Sequence, residues 1–142
     1  RVMAPEVAAT LRQAMGLVVT HGTARRLGDA LAAPDGRTPV VGGKTGTGDN
    51  RLERYGPKGA LLGSRVVNRT ATFVFFIDDR FFGTLPAYVP GPGAQAYRFT
   101  SALPVQIFKT LAPLLKPAVL APAGAPCAPS PQPMAAKGHN RP

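Results

Sequence analysis

Apolar residues recur three or four positions apart at Val7, Leu11, Ala14, Met15 and Val18, which predicts an amphipathic helix over 4–20 with one face buried. Pro5 and Glu6 suit its first turn, Gly22 is placed to end it, and His21 falls at its negative dipole end. Arg25 and Arg26 then read as solvated surface, and Gly28, Pro34, Asp35 and Gly36 as turns. Val40 and Val41 lead into an extended stretch that reaches Gly48. From Asp49 to Arg69, glycines and proline mixed with basic residues predict a long irregular connection at the mouth of a site. Thr70–Ile77 is apolar on both faces and predicts a central strand, and Asp78-Asp79-Arg80 turns it into an antiparallel partner over Phe81–Val89. Pro86 cannot donate to a ladder, so a bulge or a free edge is expected there. The aromatic residues between Phe73 and Tyr88 suit core packing better than nucleobase stacking. Pro90-Gly91-Pro92-Gly93 breaks the sheet. A second helix is expected over Tyr97–Leu115, with Ser101 as cap, Pro104 in the first turn, and Leu103, Ile107, Phe108, Leu111 and Leu115 inward. The elements define an α+β chain, an antiparallel sheet with flanking helices over residues 1–116. Seven prolines from Pro117 onward predict an extended, disordered Pro/Ala-rich tail over 117–142.

Composition narrows the partners without choosing one. The 142 residues suit one domain at most, and 17 basic against 7 acidic residues give a formal charge of +10, with no Asp or Glu after Asp79. Such a balance suits an anionic partner: nucleic acid, anionic lipid or an acidic polymer. The basic residues are scattered from Arg1 to Arg141 and carry no nucleic-acid-binding signature, so a basic nucleic-acid or anionic-polymer binding module stands as the alternative reading. Cys127 is alone, which rules out an internal disulfide, and no apolar run approaches the 18 residues of a membrane span. Because the first residue is Arg1 rather than Met, an upstream portion carrying a signal or anchor is expected.

The candidate chemistry lies in Val40-Val41-Gly42-Gly43-Lys44-Thr45-Gly46-Thr47-Gly48. Glycines let a ligand lie against the main chain, and Lys44 adds a compact positive charge. In a plain pleat the hydroxyls of Thr45 and Thr47 share a face, while Lys44 and Gly46 face the other way or sit at the edge. A carboxylate is the natural guest. A phosphate loop is excluded by spacing: Thr38 stands where that motif needs glycine, and Gly46 and Gly48 follow where it needs a helix.

Gly43-Lys44-Thr45-Gly46-Thr47 resembles the Lys-Thr-Gly element of penicillin-binding proteins and serine β-lactamases. Over about residues 3–115 the order of elements is similar to the C-terminal part of a penicillin-binding transpeptidase domain. Gly22-Thr23-Ala24 resembles the Gly-Thr-Ala stretch of the bifunctional, class A members. The resemblance implies a β-lactamase/transpeptidase-like domain, incomplete as given, in a protein with an anchor and a peptidoglycan glycosyltransferase domain upstream. It implies a serine D,D-transpeptidase at the periplasmic face of the inner membrane, without metal or cofactor. Its partners would be peptidoglycan stem peptides and β-lactam inhibitors, with no nucleic acid, and with the membrane reached only through the upstream part. By the same resemblance Lys44 provides positive potential and supports proton traffic, Thr45, Gly46 and Thr47 line the substrate, and the Thr47 N–H forms half of an oxyanion hole. The family also requires Ser-x-x-Lys and Ser-x-Asn elements, and neither occurs here: Ser64, Ser101 and Ser130 lack a lysine three positions on. Both elements precede Lys-Thr-Gly in the family, so the chain by itself is expected to be inert.

Overall fold

The computed structural model describes residues 2–122. Helix α1 spans Pro5–Thr20, strand β1 Val41–Tyr55, β2 Leu61–Ile77, β3 Phe81–Pro90 and helix α2 Ala102–Leu120, with short 3-10 turns at Arg25–Leu27 and Pro92–Ala96. The strands form one antiparallel sheet in the order β1-β2-β3, so this is an α+β fold with β2 central and two helices. Among the described residues no helix is long and apolar enough to cross a membrane.

The register assigns the faces. Thr45 sits opposite Phe73 and Phe73 opposite Leu85, so the odd-numbered positions of β1 share a face with Phe73, Phe75 and Leu85. That face packs on α2: Phe108 meets Phe73 and Phe75 edge-on, with ring centroids 5.7 and 4.5 Å away. Val105, Ala112 and Val119 continue the contact, and Val19, Ala24, Leu27 and Leu31 close the core from the first third of the chain. The opposite face, carrying Lys44, Val74, Phe82 and Tyr88, is largely open; Phe82 is 76% exposed. Helix α1 covers one corner of it, where the Arg12 guanidinium lies 4.2 Å from the centre of the Phe76 ring. Arg12 also donates to the Asp78 carbonyl (2.8 Å) and pairs with Asp79 (2.9 Å), fastening α1 to the β2–β3 turn.

Several expectations need correction. The irregular connection over 49–69 is instead a long hairpin: β1 continues to Tyr55 and returns as β2 from Leu61, with Arg51 opposite Val66 and Glu53 opposite Ser64. Gly59, at φ +74, supplies the left-handed turn, and cross-strand pairing, with Arg51 Nε donating to Ser64 Oγ at 2.9 Å, holds the two arms together. Helix α1 has the expected bounds, but Val7 and Leu11 of its apolar stripe are exposed, and Val19 is its buried residue. Helix α2 starts five residues later than expected and ends five later, running through Pro113 and Pro117. Both prolines lie on its exposed side, and the orphan carbonyls at its end accept from distant arginines: Leu120 from Arg37 (3.0 Å) and Ala121 from Arg80 (2.6 Å). The domain boundary expected at 116/117 therefore falls inside α2; of the expected tail, residues 123–142 lie outside the described residues. The inner face of α2 is Val105, Phe108, Ala112, Leu115 and Val119, while Leu103 and Ile107 point outward. Phe108 between two sheet phenylalanines fixes that rotation. Pro86 sits opposite Thr72 on an edge strand whose outer side is free, the second of the two expected solutions. Of the aromatic residues assigned to the core, Phe73, Phe75 and Phe76 pack there, and Phe82 and Tyr88 do not.

Candidate functional site: the free edge of strand β1

The Asp78 N–H donates to the Val40 carbonyl (2.8 Å), so Val40 turns its backbone groups toward β2. In an antiparallel ladder that direction alternates, and the register runs unbroken from Val41 to Asn50. The N–H and C=O groups of Val41, Gly43, Thr45 and Thr47 therefore point to the free edge of β1. The Thr47 N–H is an outward donor, and the Thr45 carbonyl is an outward acceptor. That carbonyl takes a hydrogen bond from Lys44 Nζ at 2.5 Å, which draws the ammonium around the edge although the Lys44 side chain starts on the opposite face from the threonines.

Both threonine hydroxyls are already engaged by protein. Thr45, 7% exposed, shares a 2.6 Å hydrogen bond with the hydroxyl of Thr23, in the loop after α1. Thr47 Oγ1 accepts from the Ser101 N–H at 2.8 Å, just before α2. Each arrangement still leaves a hydrogen to offer. A hydroxyl that accepts keeps its own O–H, and one member of the Thr23–Thr45 pair must do so. Lys44, the Thr47 N–H, the Thr47 O–H and one hydroxyl of the Thr23–Thr45 pair thus form a row of donors along one edge. Such a row can bind an anion and stabilise developing negative charge.

Two sequence expectations change here. Gly42 and Gly43 were assigned to ligand approach, yet a Cβ on Gly42 would lie 2.3 Å from the Phe76 ring, and one on Gly43 would lie 2.4 Å from the Val74 carbonyl oxygen. They are needed by the sheet's own packing. Gly46, where a Cβ would meet only Thr72 Oγ1 at 3.0 Å, and Gly48, with open space, leave the face that carries Lys44 uncrowded. Thr23 received no individual role from the sequence, although it lies in the Gly22-Thr23-Ala24 stretch; its link to Thr45 is a tertiary contact across 22 residues that no local pattern reveals. Comparison with models of protein families, with curated proteins and with solved structures finds no match to this chain.

Proposed function

We propose that this chain forms the substrate-recognition wall of a serine D,D-transpeptidase that cross-links peptidoglycan stem peptides, with Ser-x-x-Lys and Ser-x-Asn elements supplied from outside this sequence. The observation that carries the reading is the Thr47 N–H pointing to the open edge of β1, three residues from Lys44 and within the sequence Lys44-Thr45-Gly46-Thr47. In this reading the peptide's terminal carboxylate lies against Lys44 and the free hydroxyl hydrogens of the Thr23–Thr45 pair and Thr47. The scissile carbonyl oxygen points at the Thr47 N–H. When a serine attacks that carbonyl, the new negative charge meets a donor already in place, and losing one such donor typically costs about 10²–10³ in rate. The peptide bond to the terminal D-Ala breaks, D-Ala leaves as its free amine, and the acyl group passes to an acceptor amine.

Labelled penicillin tests it. The complete gene product is expected to be acylated at a serine outside these 142 residues, and the 142-residue chain is expected to remain unlabelled. A complete gene product that penicillin never acylates, or labelling on Ser64, Ser101 or Ser130, rejects the proposal. Tight, sequence-selective binding of DNA at physiological salt would favour the nucleic-acid alternative instead.

A further inference from the structure

We infer that a basic cavity beside Thr47 takes a second carboxylate, carried by an acidic side chain of the same peptide; the identity of that peptide rests on the function proposed above. The cavity, about 410 Å³, is lined by Asp49, Arg51, Ser64, Arg65, Arg69 and Arg98 among others. Arg51 and Arg69 share the face of Asp49 and Arg98 meets it from the loop before α2, whereas Arg65, opposite Leu52, starts from the other face of the ribbon and borders the cavity. Arg69, whose side chain is 16% exposed, holds both oxygens of Asp49 through Nη1 (3.1 and 3.2 Å), and its Nε donates to the Phe99 carbonyl at 2.9 Å. Arg51 donates through Nε to Ser64 Oγ at 2.9 Å, with Nη1 4.0 Å from Asp49. These bonds engage Nε of both groups and Nη1 of Arg69, and among the described residues the Nη2 atoms of Arg51 and Arg69 have no protein partner. Among the described residues, Arg65 and Arg98 have no hydrogen-bonding or ion-pair partner for their guanidinium groups. Glu53, the hairpin's other acid, accepts from the Tyr55 hydroxyl and does not line the cavity.

Position supplies the direction of the ligand. Asp49 follows Thr47 by two residues on the same face, about 7 Å farther along the strand. The loop before α2 joins the two places: Arg98 lines the cavity, the Phe99 carbonyl holds Arg69, and the Ser101 N–H holds Thr47. A peptide with its terminal carboxylate near Lys44 and its scissile carbonyl at Thr47 advances along β1 in the direction of rising residue number. Its upstream residues then reach the arginines. The fork of a guanidinium matches a carboxylate in two parallel hydrogen bonds, and a small concave cavity that already seats the Asp49 carboxylate suits that group better than a polyanion.

The test compares acetyl-Glu-Lys-D-Ala-D-Ala with acetyl-Gln-Lys-D-Ala-D-Ala on the complete gene product. Release of D-Ala is expected to favour the Glu peptide by about ten-fold or more in kcat/KM, the scale of a lost charge-assisted hydrogen bond. In the double variant Arg65→Gln/Arg98→Gln, checked for folding by circular dichroism, that ratio is expected to fall toward one. Equal use of both peptides by the unaltered protein, or a preference that survives the double variant, overturns the inference. Should penicillin fail to acylate the protein, the proposed function falls. The inference is then read from equilibrium binding of the two peptides by calorimetry, where equal affinities overturn it and a Glu preference abolished by the double variant upholds the carboxylate site. Displacement of the Glu peptide by duplex DNA at lower concentration than by the Gln peptide would assign the arginines to a polyanion and overturn it as well.

Discussion

Lys44 and Thr47 lie on opposite faces of one strand, yet both serve its edge, and they do so at different structural cost. Lys44 is exposed, and its Nζ bonds only the Thr45 carbonyl. Lys44→Ala should therefore leave thermal stability nearly unchanged while slowing acylation of the complete protein by carboxylate-bearing β-lactams by about 10–100-fold, as expected for a charge-assisted bond. Thr47→Val keeps the outward N–H but removes the acceptor of the Ser101 N–H, so it should lose about 1 kcal/mol of stability in addition to its effect on binding. Its acylation defect should be smaller than that of Lys44→Ala and should shrink further with a ligand lacking the carboxylate. Acylation by both variants at the unaltered rate, with folding intact, would remove the anion edge from the proposed mechanism. At the far end of the same strand, Tyr55 donates to the Glu53 carboxylate, and that hydrogen bond, reinforced by the negative charge, raises the phenol above its ordinary 10.0. The bond holds while the phenol is protonated and is lost as pH rises through the raised value. Glu53→Gln should bring the ultraviolet titration of Tyr55 to lower pH, and an unmoved titration would show that the pair does not persist in solution.

Helix α2 and the sheet are held by a small number of rings. Phe108 is fully buried against Phe73 and Phe75, so Phe108→Ala should cost about 3–5 kcal/mol, read from urea unfolding. Leu103→Ala, on the outward side of the same helix, should cost far less; equal losses would mean that the helix is rotated from the position described. Part of the fold was legible in the chain: α1 has a spacing of three to four, 70–77 is an apolar run, and the Asp78–Arg80 turn separates it from β3, whereas the pairing of 49–55 with 61–69 was hidden by glycine, proline and charge. The rotation of α2 was not legible, since a helix apolar on most sides offers several stripes and only its partner selects one. Its passage through Pro117 was equally hidden, because Arg37 and Arg80, which hold the carbonyls at its end, are 83 and 41 residues away from them. At the site, Lys44, Thr45 and Thr47 were visible as residue types at strand spacing. Their engagement by Thr23 and Ser101, and the arginine cavity formed when 49–69 pairs with itself, depend on contacts distant in sequence.

For the molecule as a whole, the sheet has one covered face and one mostly open. Val74, Phe82 and Tyr88 lie on the open face with exposures of 49, 76 and 57%, and Leu11 of α1 is 47% exposed. An apolar surface of this kind favours association. In sedimentation velocity the 142-residue chain should self-associate with rising concentration, and Phe82→Thr should weaken that tendency; a monomer at every concentration would show that the face is tolerated by water.

The sheet is also uneven along its length. β3 ends at Pro90, opposite Asn68, so β1 belongs to a three-stranded sheet near Lys44 and to a bare two-stranded ribbon beyond Arg51. An isolated ribbon is marginal in water. Backbone amides of β1 should accordingly exchange with deuterium on a gradient, slow at Gly42 and Lys44 and fast from Leu52 to Tyr55. The strand would then act as a cantilever, clamped where it presents Thr47 and compliant where Arg51 and Arg65 project. A ligand gripping the arginines would stiffen the free end, so its arrival could be timed by slowed exchange at the tip while the clamped end stays unchanged.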